Sequence, residues 1–236
     1  MKFGDETIIR DISIAVDQGE LVSLLGVSGS GKTTLFNCIS GIYQPTEGRV
    51  LLDGADITGT TGHISYMLQK DLLLPYKTIE DNVGLPLVIR GMSRDEARKQ
   101  ASEHFEEFGL EGTQKKYPKQ LSGGMRQRAA LLRTYLFSDN VALLDEPFSA
   151  LDTITKGKIH KWYLDVMEKI NLTTVFITHG INEAILLSDR IYIMTGKPGG
   201  IRYEIRIDTP RSQRQGYDLT DEFMQYKRQI MGILEE

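Results

Sequence analysis

The chain has 236 residues, of which 40% are hydrophobic and 25% charged, and it carries a formal net charge of −4. These values are ordinary for a globular protein, and the acidic balance disfavours a nucleic-acid partner, because nucleic-acid binders usually carry a basic face. The sequence has neither an apolar run near the roughly 18 residues that cross a bilayer nor the pattern of a secretion signal, so we expect no membrane span and no secretion.

The first buried strand is predicted over 21–25, and a glycine-rich loop and a helix over 32–41 follow it directly. The loop over 26–33 reads GVSGSGKT and matches G-x-x-x-x-G-K-[ST]. Glycines let the backbone curl so that successive N–H groups point at an anion, and the helix adds its positive N-terminal end. Because it stands between a strand and a helix, we interpret the loop as a phosphate-binding loop for ATP rather than a simple turn.

Individual residues of this loop have separate roles. Lys32 can reach the β- and γ-phosphates of ATP, and the Thr33 hydroxyl can bind Mg²⁺. The single cysteine, Cys38, excludes an internal disulfide and falls on the apolar side of the helix, so we interpret it as a core residue. Further nucleotide contacts are assigned to Gly26, Ser28, Gly29, Ser30, Gly31 and Thr34.

The middle of the chain, over about 76–138, is predicted to form a helical subdomain inserted into an α/β core. Ser93 followed by Glu96 is a capping box that begins one helix, and apolar residues at helical spacing continue to Gly109. A second helix should run over about 122–137. The two short strands predicted ahead of this subdomain lie over 49–52 and 63–68.

Two further buried strands are predicted over 140–145 and 173–178, with an amphipathic helix between them. Strand, helix and strand in this order imply a parallel pair with a right-handed crossover. Strands over 190–195 and 201–207 are typical of an edge hairpin. The apolar stripes are Ile159, Trp162, Tyr163, Val166, Met167 and Ile170 in that helix, and Phe223, Tyr226 and Ile230 in a helix near the end of the chain.

Two acids, Asp145 and Glu146, stand at the end of the strand over 140–145. Carboxyl ends of parallel strands meet at one edge of a sheet, so Asp145 can hold Mg²⁺, directly or through water, beside the phosphate loop. Glu146 lies one residue farther out, and we assign it to orient and activate the water that attacks the γ-phosphate. The alternative for this acid is a surface salt bridge.

Residues 121–127, LSGGMRQ, resemble the signature sequence LSGGQ of ATP-binding-cassette (ABC) ATPases. Other marks of that family follow in its order, and the resemblance covers the chain up to about residue 207. These marks are Phe3 for the aromatic that stacks on adenine, Gln69 for the Q-loop, 149–152 (SALD) for the D-loop and His179 for the switch histidine.

The resemblance implies one ABC ATPase domain with an α/β P-loop NTPase fold. Its core would have a mainly parallel sheet and an N-terminal antiparallel β portion, with the helical subdomain inserted into it. On this reading the core comprises about 1–75 and 139–207, the helical subdomain about 76–138, and a C-terminal helical tail about 208–236.

In ABC ATPases the signature belongs to a head-to-tail homodimer with ATP at the interface. Ser122, Gly123 and Gly124 begin a helix, so their free N–H groups form an anion site without a phosphate of their own. The resemblance implies that this site closes over the γ-phosphate bound to the other subunit, and that hydrolysis reopens the dimer.

The remaining roles are also implied by the resemblance. His179 would contact the γ-phosphate and help to position water, and Gln69 would sense Mg²⁺ and that water. Asp152 would communicate across the dimer, and Phe3 would stack on adenine. The chain departs from the family at two places. The strand that usually precedes the aromatic is not apparent before Phe3, which would leave Phe3 poorly anchored, and Gly180 replaces the Asp that commonly follows the switch histidine and would loosen its placement.

A narrower resemblance is to bacterial importer ATPases of the nitrate/sulfonate/taurine type, with thiamine-precursor importers as near relatives. It rests on 66–75 (YMLQKDLLLP), 182–184 (NEA), 187–190 (LSDR) and 197–199 (KPG). It implies a transmembrane permease, an extracytoplasmic solute-binding protein that acts indirectly, and a peripheral location on the cytoplasmic face of the bacterial membrane. Tyr76 and 77–90 are candidates for the permease contact, or else core of the helical subdomain.

Three other functions compete with import. A soluble ABC ATPase that acts on nucleic acid or ribosomes is disfavoured by the acidic charge, the single cassette and the short distance between loop and signature. A phosphate-loop kinase would need no signature. A regulatory module without hydrolysis is disfavoured because Lys32, Asp145, Glu146 and His179 are all present.

Overall fold

The computed structural model describes residues 1–138, 140–149 and 153–235, without the side chains of 153–156, 158, 159 and 168. The D-loop residues Ala150, Leu151 and Asp152 and the side chain of Ile159 therefore lie outside the described residues. The chain divides into two compact units. The first comprises Met1–Ile64, Leu143–Glu146 and Thr173–Glu236, and the second Ser65–Ala142 and Pro147–Leu172.

The strands range from two-residue hairpin arms to fully buried strands of six residues. In chain order they are β1 (Lys2–Phe3), β2 (Glu6–Thr7), β3 (Leu21–Gly26), β4 (Leu51–Leu52), β5 (Ala55–Asp56), β6 (Ser65–Met67), β7 (Val141–Asp145), β8 (Thr173–Thr178), β9 (Arg190–Thr195) and β10 (Gly200–Arg206). The helices are α1 (Lys32–Ile39), α2 (Ile79–Val83), α3 (Leu85–Ile89), α4 (Arg94–Glu103), α5 (Gly123–Phe137), α6 (Thr153–Ile170), α7 (Ile181–Leu187) and α8 (Asp221–Glu235).

The sheet of the first unit is mainly parallel and has the order β10-β9-β3-β8-β7. Strand β3 pairs in parallel with β8 on one side and β9 on the other, so that Val22 aligns with both Val175 and Arg190. Every residue of β3 and β8 is buried, as expected for central strands of a parallel sheet. Strand β10 pairs antiparallel with β9 at the edge, as the sequence predicted.

Antiparallel hairpins stand near the start of the chain. Strand β1 pairs with β2, and β4 pairs with β5. The N-terminal ammonium of Met1 donates to the Ile9 carbonyl oxygen at 2.9 Å and secures the first hairpin. The predicted fold class, with a mainly parallel sheet and an N-terminal antiparallel portion, is confirmed, although β4 and β6 are shorter than predicted.

The C-terminal helix α8 belongs to the first unit. Its Phe223, Ile230 and Ile233 are buried in one apolar cluster with Ile185 of α7 and Leu25 of β3. The apolar stripe that the sequence predicted near the end of the chain therefore packs onto the layer formed by α7 and the sheet.

The second unit is mostly helical. The predicted capping box is present, because the Ser93 hydroxyl accepts from the Glu96 N–H and the Glu96 carboxylate accepts from the Ser93 N–H. Regular helix ends at Glu103, earlier than predicted, because the chain then folds back through turns that bury Phe105 and Phe108. Strand β6 lies beside the start of β7, where the Ser65 hydroxyl donates to the Val141 carbonyl at 2.9 Å.

The exposed capping box allows a local test of stability. We expect Ser93→Ala to lower the free energy of unfolding by about 1 kcal/mol, because the Glu96 N–H loses its hydroxyl acceptor and the Glu96 carboxylate loses the hydrogen bond from that hydroxyl. Chemical denaturation should detect this loss. Lys99→Ala, an exposed position in the same helix, is the control and should change stability by less than about 0.5 kcal/mol. Equal stability of Ser93→Ala and the wild type would contradict the prediction.

Candidate active site

The predicted phosphate loop, over 26–33, begins at the end of β3 and continues into the first turn of α1. Gly31 has φ +95°, and a Cβ there would lie 2.4 Å from Ile9 Cγ2. A Cβ on Gly26 would lie 2.2 Å from the Met194 carbonyl oxygen. Only glycine fits either place, so the backbone can curl tightly at the end of the strand.

The start of α1 is suited to bind an anion. Its N-cap, Gly31, has no side chain to cap the helix, and no acidic residue occupies the first turn. The first N–H groups of a helix have no partner within the helix, and the helix dipole adds positive potential there. The predicted phosphate contacts Gly26, Ser28, Gly29, Ser30, Gly31 and Thr34 all lie on this loop and first turn.

Lys32 is held by the loop itself. Its ammonium donates to the carbonyl oxygens of Gly26 at 2.8 Å and of Val27 at 2.9 Å, and the residue is only 5% exposed. Burial lowers the pKa of Lys32, while the nearby carboxylates of Glu146 and Asp145 act in the opposite direction. The positive charge therefore lies inside the loop, where a phosphate would meet it.

Two oxygen donors meet beside the loop. The Thr33 hydroxyl donates to Asp145 Oδ2 at 3.4 Å, and Asp145 is 7% exposed at the end of β7. Burial raises the pKa of Asp145, and the neighbouring Glu146 raises it further. A hydroxyl and a buried carboxylate fit Mg²⁺, which takes oxygen ligands from one or two side chains and from phosphates. Among the described residues there is no group of three or more His, Cys, Asp or Glu placed to hold a metal ion.

Glu146 and His179, both predicted as catalytic residues, are in contact with each other. His179 Nε2 lies 2.6 Å from Glu146 Oε1, and Nδ1 lies 3.0 Å from the Gly26 carbonyl oxygen. A carbonyl oxygen only accepts, so Nδ1 is the donor in its contact with Gly26, and Nε2 faces the Glu146 carboxylate. Glu146 has φ +48°, an uncommon backbone conformation that its N–H bond to the Ile177 carbonyl supports.

The turn after His179 is fixed by neighbouring polar groups. The Thr178 hydroxyl accepts from the Gly180 N–H at 2.9 Å and bonds to the Glu183 carboxylate. Gly180 has φ −88°, which any residue adopts, so the glycine is not required by the backbone. The looser turn expected at Gly180 is thus offset by Thr178 and Glu183, which the sequence analysis did not identify.

Phe3 is better anchored than the sequence suggested. It lies in β1, where the Lys2 N–H donates to the Thr46 hydroxyl at 3.0 Å, and its ring packs edge-on against Tyr43 with centroids 5.4 Å apart. The residue remains 46% exposed. Sequence analysis missed Tyr43, whose only signal is an aromatic shortly after α1.

Gln69 and the signature belong to the second unit. Ser122 is the N-cap of α5, its hydroxyl accepts from the Met125 N–H at 3.3 Å, and Gly123 and Gly124 begin the helix without an acidic residue in its first turn. The signature is thus a second helix N-terminus open to an anion. Asp152, assigned to the same nucleotide, lies outside the described residues.

Two arginines of α5 hold the segment after Gln69, and the sequence analysis missed both contacts. Arg126 Nε lies 3.1 Å from Asp71 Oδ2, and Arg133 donates to the carbonyl oxygens of Asp71 and Leu72. The Q-loop segment and the signature helix are therefore joined within the second unit.

Comparison with known proteins finds similarity to ATP-binding proteins of ABC transporters. The family model described as ABC transporter matches residues 9–149. The chain is 42% identical to the formylaminopyrimidine import ATP-binding protein ThiZ of Halalkalibacterium halodurans, covering 97% of this chain and 90% of that protein. It is 34% identical to the nitrate import ATP-binding protein NrtD of Synechocystis, covering 99% and 90%.

A solved structure with a similar fold is a dimeric ATP-binding cassette in a post-hydrolysis state with ADP and Pi. The TM-score is 0.73 at 33% identity, and the match covers 89% of this chain and 96% of that one.

The raised pKa of Asp145 predicts the stability of a variant. A carboxyl whose pKa is higher in the folded chain favours folding fully below its unfolded pKa and loses this contribution as pH rises through the folded pKa. At pH 7 without nucleotide or Mg²⁺, we therefore expect Asp145→Asn to melt at a higher temperature than the wild type, with the gap closing toward acidic pH.

Asp81→Asn is the matched control, because the hydrogen bond from Arg98 lowers the pKa of Asp81. Because the pKa of Asp81 is lowered and not raised, the expected change in stability has the opposite sign. Asp81→Asn should have a lower melting temperature than the wild type at pH 7. Differential scanning fluorimetry across pH measures both variants. A melting temperature for Asp145→Asn at or below that of the wild type at pH 7 would refute the prediction.

Proposed function

The chain belongs to the ABC transporter family and is an ATP-binding ATPase of that family, and from this premise we propose that it drives import of a small solute through a membrane permease. Relatives named as import ATP-binding proteins for formylaminopyrimidine, nitrate and aliphatic sulfonates support import. The solute itself would be a nitrate-like or sulfonate-like anion or a thiamine precursor.

One observation carries the hydrolytic role. Glu146 stands directly after the buried strand β7, beside Asp145, and its carboxylate contacts His179, which in turn contacts the phosphate loop at Gly26. A carboxylate and an imidazole held at the γ-phosphate end of such a loop are placed to orient a water molecule and accept its proton.

The remaining residues of the first unit supply binding and charge. Lys32 and the loop N–H groups would hold the phosphates, and Phe3 would stack on adenine. The Thr33 hydroxyl and the Asp145 carboxylate would hold Mg²⁺. Bound Mg²⁺ supplies positive charge against the phosphate oxygens.

A head-to-tail homodimer with ATP at its interface would complete the site. Ser122, Gly123 and Gly124 would close over the γ-phosphate held by the other copy, with Asp152 signalling across the interface. The start of α5, open to an anion but remote in sequence from any phosphate loop, supports this arrangement. Dimeric cassettes among the similar structures also support it.

The permease would bind the second unit. Tyr76 is 73% exposed and Ile89 is 74% exposed, which supports an apolar contact surface within 76–90. No helix among the described residues has the length and apolar character of a membrane span. The names of the import ATP-binding relatives support a peripheral subunit at the cytoplasmic face of the membrane, with a solute-binding protein acting indirectly from outside. The acidic charge weighs against the alternative, an ABC ATPase that acts on nucleic acid or ribosomes.

We expect Glu146→Gln to lower ATP turnover by about 10²-fold or more, because the water loses its proton acceptor, and to accumulate as an ATP-bound dimer. Phosphate release measures turnover, and size exclusion with light scattering, with and without ATP, measures the dimer. Glu103→Gln, an exposed carboxylate of α4, is the control. A Glu146→Gln variant that is monomeric under both conditions would count against the dimer.

Lys32→Ala should weaken ATP binding roughly 10- to 100-fold, since a hydrogen bond to a charged group contributes about 1.5–3 kcal/mol. Titration with a fluorescent ATP analogue measures the affinity, with Lys99→Ala as the control. Unchanged affinity and turnover would remove the phosphate loop from the proposal.

A further inference from the structure

A fully buried arginine stands at the carboxyl end of α7. The Arg214 side chain is 0% exposed, and its Nη1 donates to three main-chain carbonyl oxygens at that end, those of Ser188 at 2.6 Å, Leu186 at 3.2 Å and Ile185 at 3.3 Å. Its Nε donates to the Thr209 carbonyl at 2.9 Å. One guanidinium thus satisfies the carbonyls that a helix end normally leaves without partners.

Among the described residues, the positive charge of Arg214 has only a distant carboxylate as its counter-charge. Its Nη2 lies 3.9 Å from Asp189 Oδ1. Burial lowers the pKa of Arg214, and Asp189 acts in the opposite direction. A buried cation is costly unless it is well bonded, so the bonds to α7 must hold in the folded protein. A cation at a helix C-terminus also stabilises the helix dipole.

Helix α7 depends on such support. It has seven residues, and its N-cap Gly180 has no side chain to bond the first N–H groups. A helix this short is not stable by itself and relies on packing and capping. Phe223 and Ile230 of α8 pack in the same cluster as Ala184 and Ile185 of α7. The segment after β10 therefore holds α7 by an apolar face and by Arg214.

The other end of α7 begins next to His179. The Gly180 carbonyl accepts the first helical bond, from the Ala184 N–H at 2.9 Å. Thr178 is fixed by the pairing of β8 with β3 and bonds to Glu183 of α7. A shift of α7 along its axis would move Gly180 and Glu183 against the fixed strand, and with them the turn that places His179 against Glu146.

We propose that Arg214 is a positioning residue for ATP hydrolysis: by fastening the carboxyl end of α7, it fixes the turn that holds the His179 imidazole 2.6 Å from Glu146. The catalytic consequence rests on the proposed function. The C-terminal segment would then contribute to the active site without contact with nucleotide.

The first measurement follows His179 directly. The chain has four histidines, so their Cε1–H signals can be resolved by NMR, and the missing signal of His179→Gln assigns the one of interest. We expect Arg214→Met and Arg214→Lys to shift the His179 signal and to leave those of His63 and His104 in place.

The second measurement follows turnover. We expect kcat to fall by about 10- to 100-fold, the size of effect that a displacement of about 1 Å can have on catalysis, while the affinity for ATP stays within about twofold. If Arg214 affected only fold stability, its variants would have a lower melting temperature, and the folded protein would keep both its kcat and its affinity for ATP. Arg214→Lys keeps the buried cation and carries the test if Arg214→Met does not fold.

Arg211 provides a matched control in the same turn. Its Nε lies 3.1 Å from the same Asp189 carboxylate, but its Nη2 donates to the Gly19 carbonyl rather than to α7. Arg211→Met should leave the His179 signal and kcat unchanged.

Two outcomes would overturn the inference: folded Arg214 variants with an unmoved His179 signal and wild-type kcat, or the same effects in Arg211→Met. Absence of ATPase activity in the wild type would refute the proposed function instead, and the NMR comparison would still decide whether Arg214 positions His179.

Discussion

The close approach of bare backbone at Gly26 and Gly31 is the constraint on which the first unit depends. Any side chain at either place would collide with Met194 or Ile9, so the loop could not curl and its N–H groups could not converge. The same curl brings the carbonyls of Gly26 and Val27 to the ammonium of Lys32. The Gly26 carbonyl also contacts the His179 imidazole, so one residue links the loop to the pair formed by His179 and Glu146.

Two helix N-termini of different construction serve the two halves of the proposed dimer site. Helix α1 begins at Gly31, which leaves all of its first N–H groups to a ligand, and Lys32 adds a full charge. Helix α5 begins at Ser122, whose hydroxyl takes the Met125 N–H, and two glycines keep its approach open. The first helix start therefore offers an anion more free N–H groups and a nearby ammonium, whereas the second offers fewer free N–H groups and has no lysine beside it in its first turn.

Local sequence patterns predicted the parts of the molecule that depend on local physics. The buried strands β3 and β8, the capping box at Ser93 and the phosphate loop follow from apolar runs, caps and glycine spacing, and the fold class was confirmed. The roles of the site residues stay predictions. Long-range contacts left no such pattern: the bonds of Arg214 to the end of α7 and of Arg126 to Asp71 join residues 26 and 55 positions apart. The anchoring of Phe3 through Tyr43 was missed for the same reason.

The arrangement of Lys32 also bears on how tightly a nucleotide can be held. A lysine that swings freely in water loses about 1.5–2 kcal/mol of rotamer entropy when a ligand immobilises it. Here two carbonyl oxygens of its own loop already confine the side chain. The rotamer entropy of Lys32 is therefore lost when the chain folds, and not when the nucleotide binds. Confining Lys32 lowers the free energy of unfolding of the nucleotide-free protein. It does not lower the affinity for the triphosphate, because the loop is organised before its ligand arrives.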